Sequence, residues 1–438
     1  MKYAFILCTA MLSQTLWAQT AWTLRQCCDY AVEHNITVKQ YDNQRQRQEI
    51  QLSTARNQRL PNLNGSASQN FSFGRGLTAE NTYTNTNTSS TSFSLGTSVP
   101  LFTGFQIPNS IRLNQLNLEA ATQELEKAKN DIRTQVAQAY VQILYCTEIS
   151  DVAHRQVSID SAQVARLQAL FHVGKASEAQ LAQQQATMAQ SQLTTTQADN
   201  NLQLAILTLT QLLELPSPEG FSVVRPYLTS TDHQAILPSP DDIYAEAMGI
   251  KPEVQAQQLR LQSAESNIRI AQSGLYPTLS FSAGLGSNYY KTSGFPAKNF
   301  GEQMKNNFSQ YLGFSLNVPI FNRFSVRNSI RAARKERDNQ QLMLDNTKKT
   351  LYKEIQQAYY NTVAASQKLI SSDQARQSSE TAFRLTQAKY EQGQSTITEF
   401  NEAKNNFLKA ESDLTQARYE YLYQQALIQF YRGQELEF

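Results

Sequence analysis

Val99-Pro-Leu-Phe-Thr-Gly-Phe-Gln-Ile-Pro-Asn-Ser-Ile111 is where the chain changes period. Before it the residues alternate like a strand; after it they keep a helical period for about sixty residues. The stretch returns as Val318-Pro-Ile-Phe-Asn-Arg-Phe-Ser-Val-Arg-Asn-Ser-Ile330, 219 positions later without a gap. Val, Pro, Phe, Phe, Asn, Ser and Ile match between the copies. The same offset relates Ala139-Tyr140 to Ala358-Tyr359 and Gly174 to Gly393. The chain is one unit written twice.

Upstream of the first copy, Leu63, Gly65, Ala67, Gln69, Phe71 and Phe73 alternate with small polar residues. Phe93, Leu95, Thr97, Val99 and Leu101 do so again, which predicts two strands of about ten residues. Gly74–Ser90 between them reads as an Asn/Thr/Ser loop too polar to pack. In the second unit Leu279, Phe281, Ala283 and Leu285 alternate, as do Leu312, Phe314, Leu316 and Val318, around a loop over Tyr289–Asn307.

Downstream, Leu118, Ala121, Leu125, Ala128, Ile132, Val136, Ala139 and Ile143 step by threes and fours, a seam rich in small residues. The spacing predicts a helix over Ile107–Phe171, about 65 residues and roughly 100 Å long. Val173-Gly174-Lys175 breaks it, and Ser177–Leu213 reads as a returning helix with Ser177 and Gln180 placed as a capping box. Trp22 to Asn57 predicts one entry helix. The second unit repeats the plan as Ile243–Ser273, Val326–Tyr390 and Ser395–Tyr431. In each unit the entry and return helices together nearly match the long one, so laid end to end they could run alongside it.

Composition fits long rods with thin interfaces better than a large core. The 438 residues are 40% hydrophobic and only 17% charged, with a visible surplus of Gln, Asn, Ser, Thr and Ala, and the mean hydropathy is −0.48. A net charge of +2 without a basic-aromatic cluster argues against a nucleic-acid partner.

The expected organisation is a signal peptide over residues 1–18, a first repeat over 19–213, a proline-rich linker over 214–240, a second repeat over 241–432 and a tail over 433–438. Lys2, the apolar Tyr3–Leu12 and Ala18 carry the secretory reading, and the sequence around Cys8 and Cys27 is not a lipobox. Cys27, Cys28 and Cys146 remain after such a cleavage. An odd count with two neighbours forms no disulfide framework, so they read as small apolar residues on helix faces. No run of eighteen apolar residues follows the signal, so any membrane crossing falls to strands.

Four strands cannot close a membrane barrel, and open edges in lipid cost several kcal/mol per unpaired backbone group. Two chains would supply eight strands and three would supply twelve; an eight-stranded barrel fills itself with side chains, whereas twelve leave a lumen. The predicted architecture is thus mixed α and β, mainly α: a long antiparallel helical barrel joined to a homotrimeric twelve-stranded β-barrel, four strands per chain.

At this point the sequence resembles the outer membrane efflux protein (TolC-like) family over nearly its whole mature length. Trp22-Thr-Leu-Arg-Gln-Cys, Arg59-Leu-Pro-Asn-Leu, Leu275-Tyr-Pro-Thr-Leu, both strand ends, both glycine tips and Ala417-Arg-Tyr-Glu-Tyr-Leu422 carry the resemblance. It implies a channel in a Gram-negative outer membrane with a periplasmic extension. Its partners would be outer-membrane lipid, a periplasmic adaptor and an inner-membrane pump serving efflux or type I secretion. An exported trimeric coiled-coil scaffold or adhesin stalk is the alternative, but it has no need of duplicated strand pairs.

Glu399 and Glu402, three apart just past the Gly393 break, share a helix face. In a trimer they would form two acidic rings able to hold cations; a solvated first turn favoured by the helix dipole is the ordinary reading of the same spacing. The resemblance places the family's two gate aspartates at Glu399 and Glu402 and its gate tyrosine at Tyr390. It also places the gate arginine at Ser395 and that arginine's aspartate partner at Gln180, so the ion pair of the family's lock is missing here. The family's adaptors meet the tips, which nominates Val173, Gly174, Lys175, Gln392, Gly393 and Gln394 for docking. His34, His154, His172 and His233 lack metal-ligand spacing, and no phosphate loop or nucleophile elbow occurs, so neither an enzyme nor a cofactor is implied.

Overall fold

The computed structural model describes residues 21–77, 81–226 and 237–437. The signal peptide expected over 1–18, part of the proline-rich linker, His233 and Phe438 lie outside the described residues. In chain order the elements are α1 (Leu24–His34), α2 (Ile36–Asn57), β1 (Asn62–Leu77), β2 (Tyr83–Thr103), α3 (Gln106–His172), α4 (Glu178–Leu212), α5 (Pro240–Ile250), α6 (Pro252–Ser273), β3 (Thr278–Thr292), α7 (Phe300–Asn306), β4 (Ser309–Asn317), α8 (Ser325–Glu391) and α9 (Ile397–Tyr431).

The repeat is visible in these boundaries. α3 and α8 are each 67 residues long and α4 and α9 each 35, with starts at Gln106 and Ser325, then Glu178 and Ile397, both 219 apart. The seam read from the sequence is buried from Ala121 through Ile143, with Leu118 half-buried at its start. The chain divides into two compact units, each drawing on both repeats. One holds the described parts of Met1–Tyr41, Leu125–Lys251 and Lys348–Phe438; the other holds Asp42–Glu124 and Pro252–Thr347.

In the first unit Cys27, Cys28 and Ala31 of α1 pack on Val136, Ala137 and Leu144 of α3 and on Leu209 of α4. All three cysteines are free and buried, as small apolar residues would be. Burial pushes the Cys27 and Cys28 thiols up to about 12. The Tyr140 hydroxyl shares its one proton between the carbonyls of Val224, at 2.7 Å, and Trp22, at 3.1 Å, tying α3 to both segments.

Two expectations change here. The entry helix is split in both repeats. Asn35 separates α1 from α2: its side-chain N–H donates to the Leu212 carbonyl and its side-chain oxygen accepts from the Thr37 N–H. Lys251 separates α5 from α6 because the residue before Pro252 is driven to extended backbone, at φ −72 and ψ 122.

The second unit carries one antiparallel sheet in the order β1-β2-β3-β4. The register Leu63↔Thr97↔Ala283↔Leu312 sorts its side chains into two faces. One face carries Leu63, Phe71, Phe73, Phe93, Phe281, Leu312 and Phe314. The other carries Ser66, Ser68, Ser92, Ser94, Gly284, Gly286 and Ser315, with Ser66–Ser94 and Ser68–Ser92 hydroxyl pairs at 2.8 and 2.7 Å. The apolar face is bare in the single chain: Phe73 is 76% exposed and Leu312 78%. β1 and β4 form the two edges of the sheet.

The strands correct the sequence reading in length. β1, β2 and β3 run 16, 21 and 15 residues, while β4 has nine. Most of the expected Gly74–Ser90 loop is hairpin, paired through Leu77↔Tyr83, because its alternating Thr residues favour extended backbone and an antiparallel ladder needs no apolar face to hold. The expected Tyr289–Asn307 loop is strand as far as Thr292 and then contains α7, while Val318 lies just beyond β4.

Where β2 passes into α3, Gly104 and Phe105 take φ values of 59 and 69; at the equivalent place after β4, Arg323 and Phe324 take 52 and 60. Glycine is required at the first because an added Cβ would stand 2.5 Å from the Ser273 carbonyl. Gly104→Ala is therefore expected to lower stability by about 2 kcal/mol or more, whereas Arg323→Gly should relieve about 1 kcal/mol of left-handed strain. Thermal melting of the two purified variants beside the wild type checks the opposite signs.

Candidate functional site

Both long helices end in the same backbone device. At the first tip the N–H groups of Gly174 and Lys175 donate to the carbonyls of Phe171 (2.9 Å) and Leu170 (2.8 Å). At the second, Gly393 and Gln394 donate to Tyr390 (3.1 Å) and Lys389 (2.8 Å). Gly174 and Gly393 have φ of 70 and 74, which only glycine adopts without strain, and nothing lies within 4 Å of a Cβ added to either. The tips are therefore open surfaces, and Val173, Lys175, Gln392 and Gln394 are all exposed on them.

The return helices also begin alike. Ser177 and Gln180 form a reciprocal capping box at α4, as Thr396 and Glu399 do at α9. Gln180 reaches back to the Ser177 N–H at 3.0 Å, and Glu399 to the Thr396 N–H at 2.9 Å. The Ser395 hydroxyl also donates to Glu399. Thus Gln180 and Ser395 are each engaged within their own hairpins.

Hydrogen bonds from Ser395 and the Thr396 backbone hold the Glu399 carboxyl below the usual carboxylate range. The sign follows: a lowered folded pKa adds stability above the unfolded value, and this is lost as the pH falls through the folded one. Glu399 is spent partly on its own helix start, a constraint that spacing alone did not reveal. Even so, Glu399 and Glu402 line one groove of about 580 Å³ between α8 and α9, together with Lys389, Gln394 and Ser395. Tyr390 takes no part in lining it. Its ring stacks on Phe400, 5.0 Å between centroids, and receives the Arg166 guanidinium of α3 at 5.1 Å.

The strongest tie between the two hairpins was missed in the sequence. Asp160 of α3 and Lys404 of α9 form an ion pair in which both side chains are fully buried. Ser191 donates to Asp160 at 2.5 Å and Gln184 at 3.2 Å, and Asn401 donates in turn to Gln184 at 3.3 Å. A signal existed: Phe400, Lys404 and Leu408 are four apart and all buried, so the lysine sits in the middle of an apolar stripe. Arg155–Glu411 at 2.8 Å and the Arg166 bond to the Glu391 carbonyl add exposed links between the same hairpins.

Among the described residues no group of three or more His, Cys, Asp or Glu is arranged to hold a metal ion, and no helix is long and apolar enough to cross a membrane. What the tip offers is a polar, acid-lined surface on a hairpin pair locked by one buried salt bridge.

Comparison with known proteins bears on this arrangement. The model of the family described as "Outer membrane efflux protein" matches residues 29–214 and 243–434. The pyoverdine export outer membrane protein OpmQ of Pseudomonas putida is 23% identical over 320 residues, 72% of this chain and 64% of that protein. The outer membrane efflux protein BepC of Brucella suis is 20% identical over 377 residues, 85% of this chain and 77% of that one. The chain therefore spans a little under two thirds of the length of the OpmQ relative. The solved CmeC outer membrane channel of Campylobacter jejuni superposes with a TM-score of 0.78 at 17% identity, over 94% of this chain and 86% of its own.

Lys404→Met leaves Asp160 buried without its cation and is expected to cost about 3–5 kcal/mol, while Lys404→Met with Asp160→Leu should recover most of that loss. Thermal unfolding of the single and double variants measures the difference. Glu399→Gln should leave the α9 start intact, since glutamine already serves at Gln180, whereas Glu399→Ala should lower the melting temperature by losing the bond to the Thr396 N–H.

Proposed function

Because the chain belongs to the outer membrane efflux protein family, we propose that it is the outer-membrane duct of a tripartite efflux or type I secretion system. It is an outer-membrane protein. It works as a homotrimer whose four-stranded sheets close together into a twelve-stranded barrel, with the helices forming the periplasmic tunnel. The mature chain begins after residue 18, and its two repeats, 19–213 and 241–432, are joined by the linker over 214–240 and followed by the tail over 433–438. The duct is passive; energy and cargo choice come from an inner-membrane pump reached through a periplasmic adaptor.

One observation carries this reading: a sheet with an apolar face bare to solvent and two edge strands. Such a sheet is unstable in water and equally so alone in lipid, where every edge N–H and C=O lacks a partner. Closure with other copies answers both demands at once. A parallel stalk would not need it.

The tip supplies the gate. Glu399 and Glu402 from three chains make an acidic constriction, with the Tyr390–Phe400 stack behind it, and the glycine tips with their exposed Val173, Lys175, Gln392 and Gln394 receive the adaptor. Without an arginine at Ser395 or an aspartate at Gln180, the closed state rests on hydrogen bonds and on the buried Asp160–Lys404 pair.

In planar bilayers the wild-type protein is expected to show cation-selective steps blocked by divalent or trivalent ions. Glu399→Gln with Glu402→Gln should abolish that block while leaving the steps, and steps that stay blocked would move the constriction elsewhere. Installing Ser395→Arg with Gln180→Asp should lower spontaneous opening severalfold; unchanged opening refutes the missing-lock account. Replacing Gly174 or Gly393 by tryptophan should impair transport in cells without reducing the amount of inserted protein.

A further inference from the structure

In the unit that carries the sheet, strands meet helices at four junctions. Register places the start of β1, the end of β2, the start of β3 and the end of β4 at one end of the sheet. All four strand–helix junctions therefore lie side by side. Over the four junction segments, residues 50–61, 104–115, 263–277 and 318–335, the sequence has nine basic residues and one acidic residue, Glu265. These segments alone carry +8 against +2 for the whole chain, so the remainder is net acidic.

Each junction contributes: Arg56 and Arg59 close α2, Arg112 opens α3 and Arg269 closes α6. The fourth is the richest, with Arg323 just before α8 and Arg327, Arg331 and Arg334 at intervals of four and three along one face at its start. All eight arginines are exposed, and none takes part in a salt bridge among the described residues. Arg323 occupies the position that is Gly104 in the first repeat and keeps the same left-handed backbone, at φ 52. A charge stands there despite the strain.

Large apolar side chains share the same band. Ile320 is 95% exposed and Phe321 72%, and Leu60, Phe105, Leu275 and Phe324 are exposed as well. Arginine interleaved with exposed aromatic and aliphatic residues at the ends of membrane strands is the composition of a membrane–water interface. The arginines lie within nine residues of a strand end, apart from those further along α8, roughly 15 Å or less at helical rise. Beyond the hydrocarbon come about 5–7 Å of headgroups and a Debye length of about 8–10 Å, which reach that far.

We propose that this collar binds anionic phospholipid headgroups of the periplasmic leaflet, the arginines pairing with phosphates while the aromatic residues enter the acyl boundary. The inference rests on the outer-membrane reading above. It would fix the depth and tilt of each chain at the level where the sheet gives way to helices.

The test uses the full protein in detergent, titrated with phosphatidylglycerol or with phosphatidylcholine at low and high salt, with bound lipid counted by native mass spectrometry. The wild type should prefer phosphatidylglycerol, and high salt should erode the preference. Changing Arg56, Arg59, Arg112 and Arg323 together to Gln should weaken phosphatidylglycerol binding about tenfold or more, while changing all four to Lys should preserve it. Equal uptake of the two lipids by the wild type overturns the proposal and needs no variant. A folded Gln variant that keeps the lipid preference but loses anion passage in planar bilayers also overturns it, placing the arginines on the lumen. Failure of the wild type to enter vesicles of either lipid is a separate outcome and overturns the membrane reading itself.

Discussion

An unpaired backbone group in hydrocarbon costs several kcal/mol, and that single penalty organises this chain. Four strands leave two edges, β1 and β4, with rows of N–H and C=O groups that the chain itself does not satisfy. The apolar face adds a second demand, since Phe73, Leu312 and Phe314 are mostly exposed in one copy. Lipid answers the face but worsens the edges, and water does the reverse. Lateral closure with further sheets meets both conditions, and the proposed trimer supplies them from copies of the same chain. The repeat sets the number, since one strand pair per repeat gives each chain four strands.

Below the strands the physics changes from backbone pairing to thin side-chain seams. Ala, Leu, Ile and Val at helical spacing bury just enough surface to hold rods together, and the polar surplus is left to face water. In such a structure one buried charge pair has a disproportionate effect. Asp160 and Lys404 gain little net stability over a hydrophobic pair, but breaking either partner strands the other in a dry site. The pair therefore specifies how the α8–α9 hairpin registers on α3. Glu399 shows the opposite economy. Being exposed, it can cap its helix and still present charge to the groove shared with Glu402.

Much of this was legible before any coordinates. The period change at Val99–Ile111 located the strand–helix junction, the gapless repeat returned helices of identical length, and glycine alone marked both tips. What escaped the reading had physical causes. The Asn35 break is made by a side-chain bond to Leu212, 177 residues away, and so has no local signature. The polar hairpin above Gly74 looked like a loop because its ladder is held by backbone bonds, which composition does not record. Asp160 and Lys404 were passed over because a lone charge in a stripe of threes and fours is usually solvated, and its partner lies 244 positions off. A net charge of +2 gives no hint of the collar arginines; only the sheet register brings four distant segments to one level.

The central claim is closure of the sheet by copies of the same chain, and the direct test is the protein mass of the detergent-extracted particle, measured by light scattering with the detergent contribution subtracted. The account predicts three chains per particle, stable to dilution. A particle of one chain that remains folded and inserted would contradict it, because the β1 and β4 edges would then be tolerated in lipid without partners.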